Sequence, residues 1–389
     1  MTRLDTTTER GVASPQPGDR PAGTGTAFGT FGELLQGALP ERDGDFLVTL
    51  PVARWSMATF RPLPGATDVT VHPAGKAKSL RLARMILEES PRPTGGLLTL
   101  HSQIPEGKGL ASSSADLVAT ARAVGRAVAT PMPPARIERL LARIEPTDGV
   151  LYPAIVAFHH RTVRLRHTLG SLPAMGVVGI DEGGSVDTVA FNRLPKPFSL
   201  ADRHRYAHLL SRLTSAVRRH DLAEVGRVAT RSALMNQALH PKRSLQPLRE
   251  ICREIGGLGV AVGHSGTTLG ILLDATDPAY PHRAAAAARA CADLGHAATV
   301  HRTLSFPAAR RSRPSGQGRP NEMATGPSLP LGPSTFLSGP EARRLRTPFT
   351  TLPQTADHPR ETIAPGGHTS TLGEQPPFAA TDMTSRQHR

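Results

Sequence analysis

Leu98, Leu100 and Ile104 recur with period two, which predicts a strand over residues 96–104. Leu117, Ala121, Val124 and Val128 then recur at spacings of four, three and four, the apolar stripe of an amphipathic helix. Between them lies Pro105-Glu106-Gly107-Lys108-Gly109-Leu110-Ala111-Ser112-Ser113-Ser114-Ala115-Asp116, a glycine- and serine-rich turn that joins strand to helix. The rest of the chain is ordered around this stretch.

Upstream, residues 26–37 hold three glycines and Glu33 among apolar residues, with a polar, glycine-punctuated loop expected at Gly32-Glu33. Residues 46–52 read as a buried strand, 56–62 and 68–72 as short strands, and 79–89 as a helix. Downstream, Ile137, Leu140, Leu141 and Ile144 stripe a helix over 133–144, broken by Glu145-Pro146-Thr147-Asp148-Gly149. A buried strand follows at 175–181, then helices at 202–220, 222–239 and 245–255, the last stopped by Gly256-Gly257. Residues 258–274 form two apolar strands around Gly263-His264-Ser265-Gly266-Thr267-Thr268. An alanine-rich helix at 284–294 and an edge strand at 298–301 close the periodic part.

Composition explains where periodicity stops. The 389 residues include 37 glycines and 36 prolines but only 4% aromatics, which indicates a folded part diluted by unstructured sequence. Residues 1–24 and 306–389 lack any sustained apolar stripe and are read as a disordered lead-in and a disordered Pro/Gly/Arg-rich tail. Cys252 and Cys291 have no metal-ligand spacing around them, so neither a disulfide framework nor a zinc site is supported. No apolar run reaches the length of a membrane span, and the N-terminus has no signal-like apolar core; a cytoplasmic protein with no membrane partner is expected. The formal charge of +14 comes largely from arginines spread along helices and tail, without interleaved aromatics or a nucleic-acid motif. Such a surface also draws anionic small molecules, so nucleic acid is not the expected partner.

The central turn is suited to such an anion. Gly107 and Gly109 let the backbone approach a ligand, while the serines and the free N–H groups of the first helical turn point at it. The same residues also suit plain helix capping and turn formation. The stretch is not a Walker loop, since no Gly-Lys-Ser/Thr closes it, and it lacks the third glycine of the dinucleotide fingerprint.

Taken with the loops at Gly32-Glu33 and Gly263–Gly266, the turn resembles the three motifs of the GHMP kinases, the superfamily of galactose, homoserine, mevalonate and phosphomevalonate kinases. Pro105 to Ala115 fits that family's Pro-x-x-x-Gly-Leu-Gly/Ala-Ser-Ser-(Ser/Ala)-Ala motif throughout. The likeness is nearest to the L-threonine kinases of cobalamin biosynthesis. Gly32-Glu33-Leu34-Leu35-Gln36-Gly37, Glu145-Pro146-Thr147-Asp148 and His264-Ser265-Gly266-Thr267 look like that branch's Gly-Glu-Leu-x-Gln-Gly, Glu-Pro-Thr-Asp and His-Ser-Gly-Thr. The resemblance spans residues 26–304. It implies an α+β, two-domain GHMP kinase architecture: a ribosomal-protein-like N-terminal ATP-binding half over 25–165 and a ferredoxin-like C-terminal half over 166–305, with disordered termini.

The resemblance also implies ATP and Mg²⁺ as the reagents and a small hydroxylated substrate as the partner, L-threonine first, with a homodimer left open. Pro105, Gly107, Lys108, Gly109, Leu110, Ala111, Ser112, Ser113 and Ser114 would hold the ATP phosphates. Ser113 and Glu145 would ligate the metal, Ser112 and Ser114 remaining alternatives to Ser113. Asp148 would accept the proton of the substrate hydroxyl, or act only electrostatically. Glu33 would help bind the substrate, with the substrate's ammonium group as its candidate partner, and Gln36 is a weaker candidate. Ser265, Gly266 and Thr267 would close on phosphate or substrate, and His264 is either a substrate contact or structural. A GHMP kinase for another hydroxylated metabolite, homoserine-like or from a specialised pathway, and a non-catalytic nucleotide-binding regulator remain the alternatives.

Overall fold

The computed structural model describes residues 21–90, 94–184, 186, 191 and 194–307. The chain opens with two long strands, β1 (Gly23–Ala38) and β2 (Asp45–Pro62), paired antiparallel. There follow β3 (Val69–His72), helix α1 (Ala77–Glu88), β4 (Gly96–Ser102), α2 (Ser112–Ala127), α3 (Pro134–Leu141), β5 (Ile155–His159), β6 (Arg164–Gly170) and β7 (Met175–Asp181). Helices α4 (Leu200–Arg219), α5 (Leu222–Asn236) and α6 (Leu245–Glu254) precede β8 (Gly259–Val262) and β9 (Thr268–Asp274). Helix α7 (Tyr280–Asp293) and β10 (Thr299–Arg302) complete the described part. It is an α+β fold, as the motifs imply.

All ten strands join one sheet in the order β10-β7-β9-β8-β1-β2-β4-β3, with β5 paired to β2 and β6 to β5. Only β3 and β4 run parallel; the other pairings are antiparallel. Helix α2 packs on β1 and β2, α5 on β8 and β1, α6 on β8 and β9, and α7 on β7 and β9. One apolar cluster, with Phe31, Phe46, Phe60, Phe158 and Tyr206, fills the space under α2, α4 and α5. A second, with Val178, Leu248, Leu269, Ile271 and Leu273, lies between β7–β9 and α6–α7. Helices α4 and α5 begin on side-chain caps. Ser199 and Asp202 form a reciprocal capping box on α4, and Asp221 accepts the Glu224 N–H at 2.9 Å on α5.

Several expectations change. The Gly32-Glu33 segment is not a loop at a strand end but lies inside β1. Gly32 takes φ of 54°, and the pairing to β2 shifts register on both sides of Glu33, so the glycine makes a bulge within a continuing strand. The two strands expected at 46–52 and 56–62 are one 18-residue strand: Ala53 and Trp55 between them are exposed and Arg54 is half-buried, so the run of buried residues breaks while the strand continues. Strands β5 and β6 were not foreseen. In β6 the polar residues alternate with half-buried ones, and a basic run of that kind carries little apolar signal. At the ends, β1 starts at Gly23, ahead of the expected onset, and the Phe306 ring lies 5.4 Å from that of Phe28, so the packed chain passes residue 305. The remainder of the expected lead-in and tail lies outside the described residues.

The seam of the sheet positions the site. Glu33 pairs on one side with Thr49 of β2 and on the other with Val262 of β8, the single ladder pair between β1 and β8 among the described residues. The residues after Val262, the Gly263–Thr267 loop, therefore emerge next to Glu33.

Candidate active site

The turn between β4 and α2 is built from left-handed residues at alternating positions: Gly107 (φ 72°), Gly109 (φ 80°) and Ala111 (φ 60°). Such alternation turns successive backbone N–H groups towards one concave face, which suits an anion. Glycine takes this conformation freely, but Ala111 does so under strain, and non-glycine residues in that region concentrate at functional sites. Ala111 is the N-cap of α2 and no side chain caps the helix, so the serines do not serve as caps. The positive end of the helix dipole is left facing the concavity.

The three serines have different partners. Ser113 donates from Oγ to Glu145 Oε1, and the other Glu145 oxygen takes the Lys78 ammonium. Ser114 Oγ donates to Asp148 Oδ2 at 3.3 Å and accepts the Asp148 backbone N–H at 3.0 Å. Ser112 opens the helix on the cavity wall. Glu145 to Asp148 thus lie against the first turn of α2, as the break after α3 allows. All of these residues, with Glu33, Lys76, Glu106, Asp116, His160, His264 and Ser265, line one cavity of about 370 Å³, within the usual range for small-molecule sites.

Burial sets the charge of the acidic groups. Asp148 is raised to about 6, chiefly by loss of solvent; the Ser114 hydrogen bond opposes this and the Glu145 charge adds to it. Glu33 is pushed well above the usual carboxylate range by burial and then by Asp148. One carboxyl oxygen of Glu33, Oε2, has no hydrogen-bond partner among the described residues.

The third loop closes against the turn. Thr268 Oγ1 donates to the Lys108 carbonyl at 2.8 Å, and Gly266 sits against the Lys108-Gly109 backbone. Lys108 itself pairs with Asp181 at 2.6 Å and donates to the Gly184 carbonyl at 2.9 Å. Thr267 bonds to the same Asp181. The Gly266 carbonyl accepts from the buried Lys242 ammonium and lies 3.1 Å from His240 Nε2. Burial lowers Lys242 to about 8, against the pull of Glu182, Glu33 and Asp181.

Several of these residues carry no local signal in the sequence. Lys76 and Lys78 sit at the start of a plain amphipathic helix. Asp116 is buried, takes the Lys76 ammonium at 2.6 Å and accepts from Ser56 Oγ at 2.5 Å, yet it reads as ordinary helix sequence. His160 belongs to the β5–β6 hairpin, which periodicity does not reveal.

Residues 77–155 match the family model for the GHMP kinases N terminal domain, and residues 213–297 match that for the GHMP kinases C terminal. The chain belongs to the GHMP kinase family. It is 26% identical over 244 residues to an L-threonine kinase of Citrobacter freundii, an alignment covering 62% of this chain and 83% of that protein. The GHMP fold also relates it to a homoserine kinase from Cytophaga hutchinsonii, with TM-score 0.58 and 15% identity over 76% of this chain and 98% of that one. A mevalonate kinase from L. major, solved with R-mevalonate, gives TM-score 0.55 and 15% identity over the same shares of the two chains. Both matched segments contain site residues: the first spans the cradle, Glu145 and Asp148, the second the Gly263–Thr267 loop. Among the described residues no helix is long and apolar enough to cross a membrane, and no three His, Cys, Asp or Glu side chains gather as a metal site.

Proposed function

We propose that this GHMP kinase transfers the terminal phosphoryl group of ATP to the side-chain hydroxyl of L-threonine, giving O-phospho-L-threonine for the aminopropanol linker of cobalamin. The observation that carries the kinase reading is the left-handed cradle at Gly107, Gly109 and Ala111, with the Ser113–Glu145 and Ser114–Asp148 pairs on the same cavity. The choice of threonine is supported by the likeness to L-threonine kinases, and by a buried carboxyl at Glu33 suited to an ammonium group.

Phosphoryl transfer needs positioning and charge stabilisation more than covalent chemistry from the protein. The cradle N–H groups and the α2 terminus receive the phosphates, and Lys78, on the cavity wall, adds positive charge beside them. Ser113 and Glu145 offer two hard oxygens side by side, which suits Mg²⁺, an ion that takes one or two protein ligands and fills its shell with water and phosphate. When bound there, the ion would neutralise phosphate charge. Asp148, held by two contacts to Ser114, accepts the hydroxyl proton as the acceptor oxygen attacks. Its raised affinity for a proton suits that role near neutral pH.

The test is ADP release by the full chain with L-threonine, L-serine, L-homoserine and simple alcohols. Fastest turnover is expected on threonine; activity confined to another acceptor would remove the substrate assignment. Ser113→Ala should raise the Mg²⁺ concentration needed for half-maximal rate by about tenfold, as loss of one ligand from a two-ligand site implies. An unchanged Mg²⁺ titration would take Ser113 out of the metal site.

A further inference from the structure

Two buried acceptors without donors lie beside the seam of the sheet, on residues that line the cavity. One is Glu33 Oε2 and the other is His264 Nε2; both residues are buried, both line the cavity, and neither atom has a partner among the described residues. They are adjacent, since the Glu33 carboxyl accepts the backbone N–H of His264.

That His264 Nε2 is an acceptor follows from its neighbours. Gln36 is fully buried in β1, and its Nε2 donates to the Val262 carbonyl at 3.1 Å. A carbonyl can only accept, so this contact orients the amide and turns Gln36 Oε1 towards His264 Nδ1, 2.8 Å away. The amide oxygen can only accept in turn, so Nδ1 carries the proton. Burial first, then His160, Lys196, His240 and Lys242, hold the ring well below the usual histidine range, so it is neutral and Nε2 is left with a lone pair.

A positively charged ligand group would offset the burial and the Asp148 charge that favour protonated Glu33, and the resulting carboxylate together with the His264 lone pair takes at least two donors. A ligand carboxylate has no donor. A hydroxyl has one proton, and the reacting hydroxyl gives its proton to Asp148. A primary ammonium has three donors. We infer that Glu33 and His264, the latter fixed as the Nδ1–H tautomer by Gln36, form the acceptor pair that reads the ammonium group of an amino-acid substrate. Gln36 is then a positioning residue rather than a substrate contact. The inference rests on the amino-acid kinase function proposed above and adds how that site separates amino acids from other alcohols.

The experiment compares L-threonine with 3-hydroxybutanoate, which lacks only the ammonium group, in the full-length wild type, His264→Leu, His264→Gln and Gln36→Leu. In His264→Leu the KM for threonine should rise at least about tenfold, as expected for one lost hydrogen bond to a charged group, with the KM for ATP nearly unchanged. The preference for threonine over 3-hydroxybutanoate should fall by the same factor. His264→Gln, which keeps a side-chain acceptor, should recover part of it, and Gln36→Leu should move the preference in the same direction. In histidine-labelled wild type, long-range ¹H–¹⁵N spectra should show His264 protonated on Nδ1, with Nε2 shifting on addition of threonine but not of 3-hydroxybutanoate. This reading needs no variant to fold.

If the wild type phosphorylates threonine while His264→Leu keeps its KM and preference, or if Nε2 carries the proton, the acceptor pair is overturned and the proposed function stands. If the wild type uses a different amino alcohol, the threonine assignment fails and the same ratio, measured with that compound and its deamino analogue, decides the acceptor pair. If it uses only alcohols without an ammonium group, both fail.

Discussion

Asp148→Asn is expected to lower kcat by about 10²–10⁴-fold, the usual range for a lost general base, and at the same time to stabilise the protein at neutral pH. Asparagine preserves the shape and the contact to Ser114 but cannot take a proton from the acceptor hydroxyl. In the wild type the carboxyl must be ionised to act, so kcat should rise with pH through about 6 and then level off; the variant should lack that limb. The stability effect has the opposite cause. The folded carboxyl holds its proton up to about 6, whereas an unfolded aspartate releases it near its ordinary value of 3.8. Stability due to this group is therefore complete below 3.8 and lost as pH climbs to about 6, above which a charge sits desolvated in the cavity. Removing that charge should add on the order of 1–2 kcal/mol at pH 7.5 and little at pH 4, after discounting for partial solvent contact. Denaturant melts at the two pH values, beside ADP-release rates, check both halves. A variant that keeps its turnover would leave Asp148 with no more than an electrostatic part.

Gly266→Ala is expected to raise the KM for ATP by more than about tenfold and to cost about 1–3 kcal/mol of stability, the range for forced overpacking. A Cβ at this position would lie 2.1 Å from the Lys108 carbonyl oxygen and 2.2 Å from the Gly109 nitrogen. Both are backbone atoms of the cradle, so neither can swing aside as a side-chain tip would. The loop cannot easily retreat either, because Lys242 and His240 hold the Gly266 carbonyl from behind. The strain should fall on the Gly107–Ala111 curvature, which is why ATP binding rather than acceptor binding should suffer first. ATP titrations and urea melts of the variant measure this, and wild-type values in both would mean that the two loops are not in contact.

The central turn was legible because its signals are local. A period-two run, left-handed glycines and a helical stripe all fall within some thirty residues, and each depends on backbone preferences that no distant contact overrides. The two apolar strands around Gly263–Thr268 were legible for the same reason. The Gly32-Glu33 segment misled because a glycine with positive φ signals a loop and a bulge alike, and only pairing on both sides makes it a bulge. The hairpin β5–β6 was missed because β5 is a five-residue, mostly buried run with no alternation to mark it and the exposed positions of β6 are mostly basic, and with it went His160.

From sequence alone came the element order of most of the fold, the family motifs and the residues on which they fall. Tertiary structure alone decided what each of those residues touches. It separated three consecutive serines that are identical as sequence, sending Ser113 to Glu145 and Ser114 to Asp148, because successive positions of the first helical turn face different neighbours. It brought Lys76 and Lys78 to Asp116 and Glu145 across 40 and 67 residues. It joined Gln36 to His264 across 228 residues, beside the Glu33–Val262 ladder pair between β1 and β8. Local pattern encodes backbone conformation and burial, whereas partners so far apart in the chain are chosen only when the sheet closes and the seam at Glu33 sets which side chains meet.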